Sequence, residues 1–246
     1  MSATEAPPPP LAVAVVVSAE HGGRSVPARW RPLFAGREAL LASHRGWDPG
    51  AAALARRLAC CLGAPCLVAR TTRLLVDLNR SPGHPRIFSE VTRTLPAAER
   101  RRILEEHHTP HRARVTAAVA AGIEHAGAAV HVAVHSFTPV LDGRVREADV
   151  GILYDPARAG ERALAAAWGR ALRSRVPELV VRMNAPYRGV SDGLPTALRR
   201  RWDARRYLGI ELEVNQRHLG PDGCFPATLA DALARSLRDA LEGFRP

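Results

Sequence analysis

The sequence predicts an α/β fold, a mostly parallel sheet covered by helices on both faces. Three observations predict it. Short β-branched runs alternate with helical stretches from end to end, which favours parallel strands joined by crossover helices. The first run, LAVAVVVS over Leu11–Ser18, is almost wholly apolar, as a strand buried on both faces must be. No internal repeat, long linker or break in composition divides the 246 residues, so residues 11–246 are expected to form a single domain.

The elements are predicted in order. Residues 1–10 hold four consecutive prolines and read as a disordered, proline-stiffened tail. After the first strand comes a loop at Glu20–Pro27. Pro49–Leu62 has Leu54 and Leu58 on one helical face, with Gly63 as its stop. Cys66–Val68 and Leu74–Leu78 read as strands, and Arg86–Thr94 as a loop. Pro96–Ala126 is a long helical stretch that Pro110 should divide or kink. Val130–His135 and Val150–Tyr154 read as strands, and Gly160–Ser174 as a helix. Leu179–Arg182 is a strand, Leu194–Arg201 a helical patch, Gly209–Val214 a strand, and Ala227–Leu241 an amphipathic closing helix.

Composition excludes several function classes. At 46% hydrophobic and 24% charged the chain is globular. No apolar run approaches the roughly 18–20 residues that span a bilayer, so no membrane association is expected. The first ten residues lack a basic n-region, and a cytoplasmic protein is expected. The net charge of +11 comes entirely from arginine, because the chain has no lysine. Those arginines are scattered through an Ala/Arg-rich composition, and aromatics are only 5%. This reads as a solvated basic surface and not as a nucleic-acid platform. Cys60, Cys61, Cys66 and Cys224 include no C-x-x-C pair; they read as buried free thiols and not as a zinc site.

Ligands in open α/β sheets bind outside the carboxyl ends of the strands, and polar residues gather there. His21 follows the first strand and precedes two glycines. His135 ends a valine-rich strand whose only other polar residue is His131. Each histidine alone is as readily structural as functional. Two at strand ends suggest a metal site, since zinc hydrolases commonly use two histidines and a carboxylate and leave a position for water. Glu20 adjoins His21, but successive side chains of an extended segment point apart, so it is expected to face away. Asp48, just before Pro49, is either the third ligand or a helix N-cap. Glu211 and Glu213 share one face of the last strand, opposite Ile210, Leu212 and Val214. A buried carboxylate there has a raised pKa suited to a general base; on an edge strand both would sit in water. Arg80 can bind a carboxylate bidentately or steady an oxyanion, or else pair with Asp77. Arg73, Arg112 and Arg188 are weaker candidates.

These pieces occur in a recognisable order: Ser18-Ala19-Glu20-His21-Gly22-Gly23, Asp48-Pro49-Gly50, Arg73-Leu74-Leu75-Val76-Asp77-Leu78-Asn79-Arg80, His135-Ser136-Phe137, Asn184-Ala185-Pro186-Tyr187, and Glu211-Leu212-Glu213-Val214-Asn215. From about residue 13 to about residue 220 the chain resembles the N-formylglutamate amidohydrolase family, most specifically in D-L-N-R and H-S-F. The resemblance implies a fold similar to zinc carboxypeptidases and the aspartoacylase group, a mixed sheet with helices on both faces. It implies metal-assisted cleavage of an N-acyl amino acid, with N-formylglutamate giving formate and glutamate. His21 and His135 would be ligands to a divalent metal, Zn²⁺ by expectation, and Glu213 the base. Asn79 and Arg80 would be substrate or oxyanion contacts, and Ser136, Asn184 and Tyr187 would help hold a small-molecule substrate. The chain departs from a carboxypeptidase-like H-x-x-E pair, because the residue three after His21 is Arg24; Asp48 is therefore taken as the carboxylate ligand. The rival readings are a deacylase or peptidase acting on another N-acyl compound, a metal-free binding protein of the same fold, and a basic nucleic-acid module.

Overall fold

The computed structural model describes residues 12–246. The expected tail at residues 1–10, and Leu11 of the expected first strand, lie outside the described residues. The chain runs β1 (Ala14–Ala19), α1 (Glu38–Ala42), α2 (Ala51–Leu62), β2 (Cys66–Val68), α3 (Ala97–Ile103), α4 (Thr109–Ala126) and β3 (Ala129–Phe137). A small hairpin of β4 (Val140–Leu141) and β5 (Arg144–Val145) follows, then β6 (Val150–Leu153), α5 (Ala159–Arg175), β7 (Val181–Met183), α6 (Leu194–Arg199), β8 (Tyr207–Asn215) and α7 (Ala227–Leu241).

Six strands form one sheet in the order β2-β1-β3-β8-β6-β7. The pairs β1–β2, β1–β3, β3–β8 and β6–β7 are parallel, and β6–β8 is antiparallel. The sheet is thus mostly parallel and mixed, as expected. The long strands alternate faces with period two. Val130, Val132 and Val134 of β3 and Leu208, Ile210, Leu212 and Val214 of β8 pack under α2, α5 and α7. On the opposite face, Val16, Ala129 and Tyr207 pack against Val115, Val119 and Ile123 of α4 and Leu194 and Leu198 of α6. Both faces are covered, which is why the strands read as near-continuous apolar runs.

Several expectations need correction. Leu74–Leu78 forms no strand. Its backbone turns at Thr72–Leu75, where Leu75 N–H donates to Thr72 O at 3.1 Å, and Asp77 N–H donates to Ile87 O at 2.8 Å. Leu74, Leu75, Val76 and Leu78 are buried in a separate apolar cluster with Trp30, Phe34 and Ile87, and burial of an irregular segment mimics a strand in sequence. The helical stretch at residues 97–126 is interrupted by a π-helical segment at Leu104–His108, just before Pro110 enters the first turn of α4. Proline offers no N–H to the carbonyl four residues back, and the wider turn falls there. The thiols are free but not buried: Cys60 is exposed, and Cys61, Cys66 and Cys224 are partly exposed. No helix among the described residues is long and apolar enough to cross a membrane.

One buried ion pair ties α5, α6 and β8 together. Arg199 donates to both carboxylate oxygens of Glu161 at 3.0 and 3.2 Å, and to the carbonyls of Gly189 and Gly209. Glu161 is fully buried and also accepts from Gly209 N–H. Removing one member of such a pair leaves an uncompensated buried charge. Arg199→Ala is expected to cost about 3–5 kcal/mol of stability, read as a lowered midpoint in urea unfolding.

Candidate active site

β1 delivers Glu20 and His21 to the carboxyl end of the sheet, where both are buried. The chain then passes close to the segment after β2. A Cβ on Gly23 would sit 2.4 Å from Arg70 O, so glycine is required there for backbone approach. The two glycines after His21 therefore make room for neighbouring protein, Gly22 for Val68 and Gly23 for the backbone of Arg70.

Asp48 is fixed beside His21 by a hydrogen bond from its own N–H to His21 O at 2.9 Å. The two roles open to Asp48 in the sequence are separated by what its carboxylate touches. The N-cap of α2 is Gly50, in the left-handed region at φ 79°, and no side chain caps that helix. The Asp48 carboxylate faces the histidines instead. Oδ2 lies 2.9 Å from His135 Nδ1 and 3.4 Å from His21 Nδ1. The two imidazole centroids are 5.0 Å apart. One ligand atom from each of His21, Asp48 and His135 falls within 4.8 Å of the others, and all three residues are buried.

Each histidine has a carboxylate at its far nitrogen. His21 Nε2 donates to Asp77 Oδ1 at 2.7 Å, which leaves Nδ1 as the lone-pair atom. That Nδ1 is buried with no hydrogen-bond partner. His135 Nε2 faces Glu20 Oε2 at 3.6 Å. One imidazole held by an outer carboxylate, the other facing Glu20 beyond hydrogen-bond reach, and inner nitrogens converging on Asp48 together suit a metal cation. The orphaned His21 Nδ1 fits the same ion. Arg73 braces the acids, donating to Asp48 Oδ1 at 3.3 Å and Asp77 Oδ2 at 3.0 Å.

The electrostatics follow from burial and these contacts. Burial alone would raise the Asp48 carboxyl, but His21, His135 and Arg73 hold it far below the carboxylate range. Asp77 is depressed in the same way, burial being outweighed by His21 and Arg73. Burial opposes a charge on His135, yet its Asp48 hydrogen bond and the surrounding carboxylates push it up to about 10. Glu213 behaves oppositely. Its place on β8 sets it directly across from His135 of β3, and burial raises it to about 8 despite the nearby imidazole. Its Oε2 is buried without a partner. Glu211, two residues back on the same face, is also raised by burial.

A cavity of about 530 Å³ opens over these groups, lined by His21, Asp48, His135, Glu211, Glu213 and Arg80. Asn79, Ser136 and Tyr187 also line it. Asn79 Oδ1 accepts from Leu194 N–H at 2.6 Å. Arg80 donates through Nη1 to Asp192 O at 2.8 Å, which leaves its other N–H groups beside the cavity. Ser136 Oγ donates to Pro49 O at 2.7 Å and accepts from Gln216. Tyr187 is held by Arg146, which donates to its hydroxyl at 2.9 Å and lies 5.1 Å over its ring.

Asn184 is not brought to the cavity. β7 runs antiparallel to β8, so its carboxyl end points away from that of the parallel strands. Asn184 turns the chain at φ 51°, and its Oδ1 accepts from Tyr154 and Gly189 N–H. The returning segment crosses Gly151, where a Cβ would meet Ala185 O at 2.1 Å. Asn184 thus shapes the loop that carries Tyr187.

Sequence reasoning missed the outer carboxylates. Glu20 does face away from the cavity as expected, but it abuts His135 from behind. Asp77 was visible only as a partner for Arg80, from which it stands 3.9 Å; its shorter contact is to His21, 56 residues earlier. No local spacing signals such pairs.

Residues 13–219 match the family model described as N-formylglutamate amidohydrolase. No curated protein matches the chain. Among solved structures, a gene product of Agrobacterium tumefaciens is 30% identical with a TM-score of 0.78, over 95% of this chain and 92% of that one. N-formylglutamate amidohydrolase from Ralstonia eutropha is 22% identical with a TM-score of 0.66, over 96% and 94%. A bacteriophage poly-gamma-glutamate hydrolase shares the fold at 10% identity and a TM-score of 0.51, over 96% and 86%.

Proposed function

Because the chain belongs to the N-formylglutamate amidohydrolase family, we propose that it hydrolyses N-formyl-L-glutamate to formate and L-glutamate with a divalent metal ion, zinc by preference, held by His21, Asp48 and His135. The observation that carries this reading is the convergence of those three buried ligand atoms beside Glu213 in one cavity. Two imidazoles and one carboxylate are a hydrolytic zinc set that leaves a position for water. When bound, the ion supplies Lewis acidity, polarising the formyl carbonyl and acidifying a water.

The chain's own residues do the rest. Glu213 takes a proton from the attacking water and returns it to the amide nitrogen as the C–N bond breaks. Its burial sets an affinity for protons suited to both transfers. Arg80 offsets negative charge developing on the formyl oxygen. Asn79 and Tyr187 orient the acyl amino acid, and Ser136 supports the floor through Pro49. Asp77 and Glu20 keep the imidazoles in register. Residues 11–246 are proposed to act as one domain.

A second reading follows from size. A cavity of about 530 Å³ is of ordinary size for a small-molecule site and admits a bulkier N-acyl amino acid as well, which is the alternative. The test is formate or acid release from a panel of N-acyl amino acids, before and after chelation, with zinc added back. Formylglutamate turnover lost on chelation and restored by zinc supports the first reading. An inert formylglutamate with another compound turned over replaces it. Turnover that survives complete metal removal excludes the metal.

Asp77→Asn tests how His21 is held. Loss of the outer carboxylate should weaken metal binding by about 10–100-fold, read by competition with a fluorescent zinc chelator. It should also lower the melting temperature of the metal-free protein, because the ionised Asp77 is the buried partner of His21 and Arg73.

A further inference from the structure

A second cavity lies behind the active site. Its volume is about 720 Å³, and it sits between α2, the free edge of β2 and the start of α4. His111 forms part of its wall, is 95% buried, and has an Nε2 without a hydrogen-bond partner. The same Nε2 stands 3.5 Å from Glu20 Oε1, whose other oxygen faces His135. Only two side chains therefore separate this cavity from the imidazole proposed to hold the metal.

The cavity is cationic and uncompensated. Arg56, Arg70 and Arg114 line it, and none has a carboxylate partner among the described residues. Its one acid, Glu106, is already shared with Arg102 at 3.9 Å and His107 at 3.7 Å. The cavity also meets the π-helical segment, a device frequent at functional sites. His107 of that segment lines the cavity, and the next residue, His108, donates to the carbonyl of Arg80 at 2.8 Å.

We propose that this cavity binds a small oxyanion, carried by a phosphate or a dicarboxylate, at a site separate from the catalytic one. Three guanidiniums supply forked donors of the kind that grip such anions. The buried imidazole closes the inner wall, so the bound anion stands behind the Glu20–His135 pair.

Calorimetric titration of the full chain with inorganic phosphate, and separately with succinate, tests this. The stronger of the two names the source. Arg70→Ala/Arg114→Ala should weaken it at least tenfold, whereas Arg80→Ala in the catalytic cavity should leave it unchanged. Arg170→Ala/Arg182→Ala removes the same charge from exposed positions and should also leave it unchanged. All these arginines are exposed or part-buried, and melting temperatures verify folding. The proposal is overturned if neither anion binds in the millimolar range, if Arg80→Ala abolishes binding, or if the Arg170→Ala/Arg182→Ala control weakens it equally.

Discussion

Glu213→Gln is expected to keep its metal and lose turnover by a factor of about 10²–10⁴, the usual contribution of a positioned general base. Glutamine preserves the shape of the side chain on β8 and its hydrogen-bonding reach, but it cannot take a proton. Burial holds the wild-type carboxyl near 8 in the metal-free protein. A divalent cation alongside favours the ionised form, so in the loaded enzyme the acid limb of kcat/KM should fall below that value. The limb should vanish in the variant. The same shift has a stability consequence once the metal is removed. Between the ordinary value of 4.5 and about 8, folded Glu213 holds a proton that the unfolded chain has released. Folding then binds protons, so wild-type stability declines as pH rises through this window. The variant has no such group. It should match wild type below about pH 4.5 and become the more stable of the two by pH 8, as read by urea unfolding in chelator. A variant with turnover within a few-fold of wild type would remove Glu213 from the base role.

How much of this site was legible in the sequence depends on how local each signal is. His135 stood out because an imidazole interrupts a valine-rich strand, and Glu213 because strict alternation puts it opposite three aliphatic residues. Both facts live within a few residues. Asp48 was ambiguous because Asp before Pro-Gly serves a helix start as readily as a metal. Only the tertiary position of its carboxylate, turned from α2 toward the histidines, separates the two. Asp77 and Glu20 were not legible as partners of His21 and His135, since their contacts are made across the fold. Glu20 meets His111 only because β1 lies next to α4. The fold divides in the same way. A continuous apolar run marked β1, a valine-rich run marked β3, and strict alternation marked β8. The run at Leu74–Leu78 is as apolar but is buried in an irregular turn, which hydrophobicity alone cannot separate from a strand. Nothing in the sequence of β6 or β7 shows that they run against β8, and that reversal is why Asn184 ends away from the cavity while Tyr187 returns to it.

His135→Ala is the second large effect, and it acts on binding where Glu213→Gln acts on chemistry. The variant removes one of three ligand atoms, so metal content should fall from about one ion per chain to a small fraction, and formate release with it, as expected for a site that needs its full ligand set. Its effect on the metal-free fold is separable. In wild type the His135 imidazolium, raised to about 10, offsets the buried carboxylates of Asp48 and Glu20. Without it those acids lose a cationic neighbour, and Glu20 keeps only His111. The metal-free variant should therefore unfold at a lower temperature than metal-free wild type, with the gap full below about pH 6.5 and narrowing as pH rises toward about 10, where the wild-type imidazolium gives up its proton. His135→Gln, which fills the space and can donate to Asp48, should recover much of that stability and none of the metal. Zinc should raise the melting temperature of wild type, because it binds the folded chain preferentially, and should not raise that of either variant. A His135→Ala protein that still carries one tightly bound ion and releases formate at the wild-type rate would show that the three converging side chains are not the metal site.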